Sequence, residues 1–521
     1  MTFEQKKGFK KKSMKSTNIL LTTIIVLLFN TAYSQTTGEC SVYFMYSPLQ
    51  STTTYLVDTD GVVFHTWDCS ASPASTAHLL PDGSIIRPYR VSTPSMMGGA
   101  TGGGMQRIDW NGNVLWDYTW SDPNHQQHHE CIPIDQGNGN YNVLIISWER
   151  KSNAEAIQAG RQNVNGEMWP LEIIEIEPQG SNGGNVVWEW HAWDHLCQDV
   201  DSTKDNFYID CSSHPELIDV NIGTLPSGGP FGGSGDWIHA NGIDYSPELD
   251  QIVFSSHKLH EIYVIDHSTT INESASHSGG NSGMGGDILY RWGNPQNYGA
   301  GTATDQILYV VHGANFIDPG FPGEGNIMMF NNGNRNGTQN DYSSVEEITA
   351  PLNGYTYTLP YNQSQHWMYS NGGTFYSNHL SGSFRLKNGN TLATEGTSGR
   401  ISEIDANGNI VFQYTHQGGG SNMAKAVPYE KEYEGILGLT TVISNHKEQV
   451  FHIYPNPANH FVQLSTEQEG ELKIIDFLGN EVYVESFKKS SRINIQNLPS
   501  GIYSIQLQTT EHLYNKPLII Q

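Results

Sequence analysis

Ile108-Asp109-Trp110-Asn111-Gly112-Asn113-Val114-Leu115-Trp116 reads as two short apolar strands joined by a tight turn. Asn-Gly between apolar strands is a strong hairpin signal, because the expected two-residue turn needs positive φ at both central residues. The phrase returns at Leu56-Val57-Asp58-Thr59-Asp60-Gly61-Val62-Val63-Phe64 and at Ile404-Asp405-Ala406-Asn407-Gly408-Asn409-Ile410-Val411-Phe412. A second phrase alternates with it, clearest at Leu79-Leu80-Pro81-Asp82-Gly83-Ser84-Ile85-Ile86 and Arg385-Leu386-Lys387-Asn388-Gly389-Asn390-Thr391-Leu392. Two hairpin types in alternation make a four-stranded sheet, and such sheets repeated around an axis make a β-propeller. The 412 residues from Gln35 to His446 would hold about nine repeats of 40–45 residues. Six blades with long loops fit better, and the glycine-rich stretches Met97–Gly104, Ser227–Gly235 and Ser278–Gly286 read as those loops. No long 3.6-residue periodicity occurs, which argues against a parallel α/β fold.

The composition agrees with an all-β reading. Of 521 residues only 15% are charged, 11% are aromatic and 54 are glycine. The net charge is −26, which excludes nucleic acid and anionic membrane surfaces as expected partners. Residues 1–34 stand apart with six lysines and one acid. Lys6, Lys7, Lys10, Lys11, Lys12 and Lys15 precede an apolar run from Ile19 to Phe29, and Ala32 and Ser34 give a small-x-small pattern. That is a signal peptide, expected to be cleaved after Ser34 so that the mature chain starts at Gln35. No later run is long and apolar enough to span a membrane.

A second break falls near His446. Residues 35–446 carry 15 Lys and Arg against 44 Asp and Glu, whereas residues 447–521 carry 6 against 8. The tail has its own short alternating strands, at Phe461–Leu464, Leu472–Asp476 and Glu481–Val484, and a small C-terminal β-sandwich is expected there. The reading therefore has three parts: a signal peptide over 1–34, a propeller over 35–446 and a tail domain over 447–521. Five cysteines suit an exported chain. Cys197 and Cys211 flank a polar stretch and are the first expected pair, Cys40 with Cys69 is a second possibility, and Cys131 is expected to be a buried bystander.

Two resemblances follow from motifs. Tyr454-Pro455-Asn456-Pro457, the Asp476-Phe477-Leu478-Gly479 turn and Leu498-Pro499-Ser500-Gly501-Ile502-Tyr503 resemble the type A C-terminal sorting domain of the type IX secretion system. The resemblance implies the type IX machinery as a partner and a secreted or cell-surface protein. The larger part resembles the aryl-sulfate sulfotransferase family. The stretches that carry this are Asp236-Trp237-Ile238-His239-Ala240-Asn241-Gly242-Ile243-Asp244-Tyr245, Glu261-Ile262-Tyr263-Val264-Ile265-Asp266, Tyr290-Arg291-Trp292-Gly293-Asn294, His312 and Gln127-His128-His129-Glu130. The family implies transfer of a sulfuryl group from one phenol to another. It uses a covalently sulfated histidine, no nucleotide donor and no cofactor, so the small-molecule partners are a phenolic donor and a phenolic acceptor.

Imidazole suits this chemistry, because it can attack sulfur while imidazolium binds sulfonyl oxygens or protonates the leaving oxygen. His312 follows the apolar run Ile307–Val311 and matches the family's sulfated histidine, so it is the expected nucleophile. His239 matches a sulfuryl-binding histidine, and either His128 or His129 is a further partner. His257 stands where the family pattern favours Arg, so a permanent charge would have to come from Lys258 or Arg291. Arg385 is read as a solvated strand residue, and Arg400, flanked by Gly399, could reach the channel although a structural role is favoured. His366, His379 and Trp367 could shape the phenol pocket by stacking on an aryl ring but are more often core or rim residues. Two rival readings are open at this level. One is a zinc site on His128, His129 and Glu130 with His239, disfavoured because adjacent strand residues face opposite sides. The other is a non-catalytic propeller that binds glycans or proteins at the cell surface.

Overall fold

The computed structural model describes residues 35–225, 235–334, 341–359, 365–416, 421–437, 451–454, 456, 458–476, 480–508 and 513–520. The expected signal peptide, most of the Ser227–Gly235 stretch, the junction at His446, Pro455, Pro457 and Phe477-Leu478-Gly479 lie outside them, as does the side chain of His366.

The hairpin phrases fold as hairpins, with a different turn from the one expected. The Asp109 N–H donates to the Asn113 carbonyl at 2.9 Å, and the Gly112 N–H donates to the Asp109 carbonyl at 3.1 Å. Only Gly112 takes positive φ, at 86°, whereas Asn111 does not. Asp109 Oδ1 meanwhile accepts the N–H groups of Asn111 and Asn113 at 2.9 and 2.7 Å. This is a three-residue connection with a glycine bulge, and the strand register slips beside it, between Arg107 and Ile108. Asp58 and Asp405 build the same turn. The leading aspartate supplies the acceptor that two positive-φ residues would otherwise have made unnecessary.

The hairpins assemble six antiparallel sheets in chain order. The first holds Tyr43–Tyr46, Thr53–Val57 and Val63–Asp68, with Val427–Tyr429 paired to Tyr43–Tyr46; the second holds His78–Leu79, Ile85–Arg90, Gly103–Ile108 and Val114–Thr119. The third holds His125–Asp135, Tyr141–Glu149, Leu171–Gln179 and Gly183–His191, and the fourth holds Ala240–Ser246, Gln251–Ser256, Glu261–Asp266 and Tyr290–Trp292. The fifth holds Val311–Phe316, Ile327–Asn331, Ser344–Ile348 and Gln365–Tyr369. The sixth holds Gly382–Arg385, Thr391–Glu395, Arg400–Ile404 and Ile410–Thr415, with Gln35–Thr37 paired outside it. Among the described residues, helices are short and none is long and apolar enough to cross a membrane.

Alternating apolar residues on both faces let each sheet pack on two neighbours. Leu56 and Trp67 of the first sheet share a core with Ile85 and Ile108 of the second. Met105 and Trp116 of the second meet Val143 and Ile174 of the third. Ile146 and Trp190 of the third meet Ile252 and Phe254 of the fourth. Val264 of the fourth meets Val311 and Met329 of the fifth, and Phe330 of the fifth meets Ala393 and Ile404 of the sixth. Phe44 and Val57 of the first sheet then share a core with Leu392 and Phe412 of the sixth, so the series of shared cores returns to its start. Truncating a fully buried aromatic such as Trp190 in one of these cores would cost about 3–5 kcal/mol.

The tail strands Phe451–Tyr454, Phe461–Ile475, Glu481–Asn494, Gly501–Gln508 and Leu513–Ile520 form one antiparallel network over their own core of Val462, Leu464, Leu472, Ile474, Ile505 and Leu507. Cys197 and Cys211 form a disulfide, whereas Cys40, Cys69 and Cys131 are free. Cys40 packs in the core shared by the first and sixth sheets and Cys69 against that of the first and second, so the second possible pair does not form.

Candidate active site

Histidines cluster near the first strands of the third, fourth and fifth sheets. His128 and His129 lie in the first strand of the third sheet, and His239 directly precedes that of the fourth. His257 follows the second strand of the fourth sheet, and His312 is the second residue of the fifth sheet's first strand. The ring centroids form a chain: His129 to His239 4.7 Å, His239 to His257 5.0 Å, and His257 to His312 5.5 Å. His129, His239, His257 and His312 line one cavity of about 1040 Å³ with Asp236, Lys258, Arg90 and His379. The backbone is strained at two of these positions, since His129 and His239 take φ of 54° and 51°, a region non-glycine residues rarely occupy.

His312 is held by its far nitrogen. Nδ1 lies 2.7 Å from Asn332 Oδ1. The Asn332 amide nitrogen donates to the carbonyls of Ser377 and Leu380 at 2.7 and 2.9 Å, so Oδ1 is the atom left to accept the Nδ1 proton. Nε2 therefore carries the lone pair, and it accepts the Leu380 N–H at 3.2 Å. Leu380 has φ of 62° and Ser381 of 90°, so this donor is presented by a strained bend. Burial holds the His312 imidazole down to about 3, despite the opposing bond to Asn332. Burial, reinforced by the nearby His239, also pushes His129 and His257 well below the usual imidazole range. They are neutral at pH 7.

Asp236 organises the other side. It accepts His239 Nδ1 at 2.6 Å, Lys258 Nζ at 2.9 Å and the Trp148 indole N–H at 3.1 Å. Burial alone would raise its carboxyl, but electrostatic and hydrogen-bond interactions with His239 and Lys258 outweigh that and hold it well below the carboxylate range. The glycine-rich bend after Met97 closes against this group. A Cβ on Gly98 would meet the Trp148 ring at 2.5 Å, and one on Gly99 would meet His239 Cε1 at 2.8 Å. The cavity thus carries two cations, Lys258 and Arg90, against one carboxylate among its lining residues, although the chain as a whole is acidic.

The remaining sequence candidates separate. His129 faces the cavity, while His128 is fully buried behind it, stacked on Trp148 at 4.0 Å with its Nδ1 2.7 Å from that of His129. Glu130 turns away towards Lys425 at 2.6 Å and His78 at 3.6 Å, so the four residues weighed for zinc do not converge. Arg291 is not in the cavity. Its guanidinium is fully buried against Glu261 at 2.6 Å and also donates to the Leu217 carbonyl, so the permanent charge beside His257 is Lys258. Arg385 pairs with Glu347 and stacks over Trp367, and Arg400 pairs with Glu395. Cys131 is fully buried and burial raises its thiol, which is unsuited to a nucleophile. Sequence reasoning assigned no role to Asp236, Trp148 or Asn332. Asp236 stood three residues before His239, which was the available signal; nothing in sequence singled out Asn332 from neighbouring asparagines.

The family model for arylsulfotransferase (ASST) matches residues 30–453, and that for the secretion system C-terminal sorting domain matches residues 452–521. No curated protein matches the chain. Among solved structures, a protein of unknown function from Bacteroides caccae is 11% identical and covers 74% of this chain and 98% of its own, with a TM-score of 0.38. A protein from Lactobacillus plantarum is 9% identical over 87% and 99%, with a TM-score of 0.35. Virginiamycin B lyase from Staphylococcus aureus is 11% identical over 74% and 90%, with a TM-score of 0.30. The sorting domain marks the chain for export to the cell surface or beyond.

Proposed function

The chain belongs to the arylsulfotransferase family, and from that premise we propose that it moves a sulfuryl group from a phenolic sulfate ester to another phenol, with His312 as the nucleophile. The observation that carries this reading is the convergence of His129, His239, His257 and His312 on one cavity, with His312 unprotonated and oriented through Asn332. In the first half-reaction the Nε2 lone pair forms an N–S bond and the S–O bond to the aryl oxygen breaks. The electron pair leaves with the phenolate, and the Leu380 N–H gives up Nε2 as the bond forms. Lys258 and Arg90 offset the negative charge of the sulfuryl oxygens and the leaving oxygen. In the second half-reaction the acceptor phenol oxygen attacks sulfur, the N–S bond breaks, and the phenol proton passes to a neutral imidazole such as His257.

The same reading takes the six sheets as the blades of a six-bladed propeller over residues 35–446, follows a cleaved leader over 1–34, and treats 447–521 as a separate sorting module with a sandwich fold. His239 and His257 bind the sulfuryl group, and His128 supports His129 from behind. The test is mass spectrometry after incubation with p-nitrophenyl sulfate and no acceptor. An adduct of about 80 Da, one SO₃ per chain, is expected on His312 and should disappear when phenol is added. His312→Ala should abolish transfer, a loss of several orders of magnitude, while leaving the thermal midpoint within a few degrees. An adduct on another residue, or near-normal turnover by His312→Ala, would refute the assignment.

A further inference from the structure

At one end of the third sheet, neighbouring strands bring together two carboxylates and two histidines outside the cavity described above. Glu149 ends the strand Tyr141–Glu149, Glu172 begins Leu171–Gln179, and His191 ends Gly183–His191. The register sets Glu149 opposite His125 and Glu172 opposite His191. His191 Nδ1 lies 3.5 Å from Glu149 Oε2 and 3.8 Å from Glu172 Oε2. One potential ligand atom from each of Glu149, Glu172 and His191 lies within 4.8 Å of the other two. Ligands bound at about 2.0–2.2 Å around one tetrahedral zinc ion stand about 3.3–3.6 Å from each other, and the two separations from His191 Nδ1 lie close to that.

Charge makes the arrangement unusual. The Glu172 side chain is fully buried and that of Glu149 is 8% exposed, yet both carboxylates turn towards one imidazole nitrogen. Lys151 Nζ reaches Glu149 Oε2 at 2.8 Å, with its ammonium group over the Trp193 ring. That leaves Glu149 Oε1 buried with no hydrogen-bond partner, and an unsatisfied buried carboxylate oxygen is costly. Glu172 is better held: His125 Nδ1 donates to it at 2.9 Å and the Trp120 indole N–H at 3.0 Å. Such outer donors fix a ligand's orientation. Beside the group opens a cavity of about 300 Å³, lined by Glu149, Lys151, Glu189, His191 and Asp194.

We propose that Glu149, Glu172 and His191 bind one divalent transition-metal ion of the zinc class, with His125 positioning Glu172. Imidazole with two carboxylates is a donor set that zinc accepts, and three protein ligands leave a position open towards the small cavity. The ion would take the place of Lys151 as the counter-charge and satisfy Glu149 Oε1. The site is independent of sulfuryl transfer. No spacing in the sequence announces this site, because residues 149, 172 and 191 are brought together only by strand pairing.

The test uses the full chain, stripped with a chelator, titrated with zinc chloride by calorimetry and then desalted for elemental analysis. One zinc per chain is expected, with a rise in thermal midpoint that grows with zinc concentration. His191→Ala should lose the bound zinc. The near-isosteric Glu149→Gln, which keeps the packing, should bind at least about tenfold more weakly, and His125→Gln about 10–100-fold more weakly. His277→Ala, in the separate group of His195, His277 and Asp287, should bind as the parent does. Absence of a retained equivalent in the parent chain would overturn the proposal. So would parental affinity in Glu149→Gln, or loss of the zinc in His277→Ala.

Discussion

Replacing Asn332 by Asp tests the protonation logic of the site with one atom's change. The side chain keeps an acceptor 2.7 Å from His312 Nδ1, but the neutral amide becomes a carboxylate. A carboxylate at that distance raises an imidazole pKa by about 1–3. From the starting value of about 3, His312 in Asn332→Asp should then titrate near 4–6. In the parent, Nε2 keeps its lone pair throughout the usual assay range. In a variant at the upper end, about nine chains in ten would be protonated at pH 5, so kcat/KM there should fall about tenfold below its value at pH 7. The substitution also replaces the donor that serves the Ser377 and Leu380 carbonyls, which should cost about 1–3 kcal/mol of stability. Initial rates of transfer from p-nitrophenyl sulfate to phenol, from pH 4 to 9, provide the assay, with thermal midpoints measured alongside. A folded Asn332→Asp whose acid limb coincides with the parent's would refute the claim that Asn332 controls His312, or that His312 must be unprotonated to react.

Further outcomes follow from buried charge. His128 and His312 are both held by burial at about 3, below the unfolded value of about 6.5. The unfolded chain therefore binds their protons first, and stability is lost as pH falls through 6.5, by about 2 kcal/mol for each between pH 7 and 5. His267, raised to about 9 despite burial by its bonds to Asp250 and Glu175, works the other way: its contribution is full below 6.5 and disappears as pH rises through 9. Urea unfolding at pH 5, 7 and 9 should accordingly show highest stability near neutrality, and a flat profile would contradict the burial argument. Arg291→Ala should cost about 3–5 kcal/mol by stranding Glu261, with KM for the donor unchanged in whatever folds; a selective KM defect would restore Arg291 to the site. His257→Arg should lower KM for an anionic aryl sulfate by about tenfold, as one added charge-assisted hydrogen bond would, and an unchanged KM would show that Lys258 already fills that role.

The all-β architecture was legible because it rests on local chemistry. Asp109, Gly112 and their counterparts fix hairpins within a few residues, and strand alternation supplies the apolar faces. The turn type was misjudged, since the pattern Asn-Gly does not reveal that the aspartate two residues earlier will hold the backbone N–H groups. The histidines were legible for a similar reason: they sit at strand starts, which topology gathers. Their partners were not. Asn332 meets His312 across twenty positions and Trp148 meets Asp236 across eighty-eight, and only Asp236, three residues before His239, had a local signal. Arg291 shows the opposite failure. It belongs to a motif that suggested the site, but its function within that motif is to satisfy Glu261 inside the fourth sheet.

The pairing of Tyr43–Tyr46 with Val427–Tyr429 has a bearing on how the chain is born. Its register joins Tyr43 to Tyr429 and Met45 to Val427, so the first sheet cannot be completed until nearly all of the larger region has been made. At about 5–20 residues per second, the intervening stretch takes roughly 20–80 s to synthesise. During that interval Phe44 and Met45 present an open strand edge, the kind that recruits other chains. An exported protein built this way has reason to be kept unfolded by holding factors until its last strand is available. Substitutions at Val427 or Tyr429 should then reveal themselves first as lost yield, before any change in the rate of chemistry.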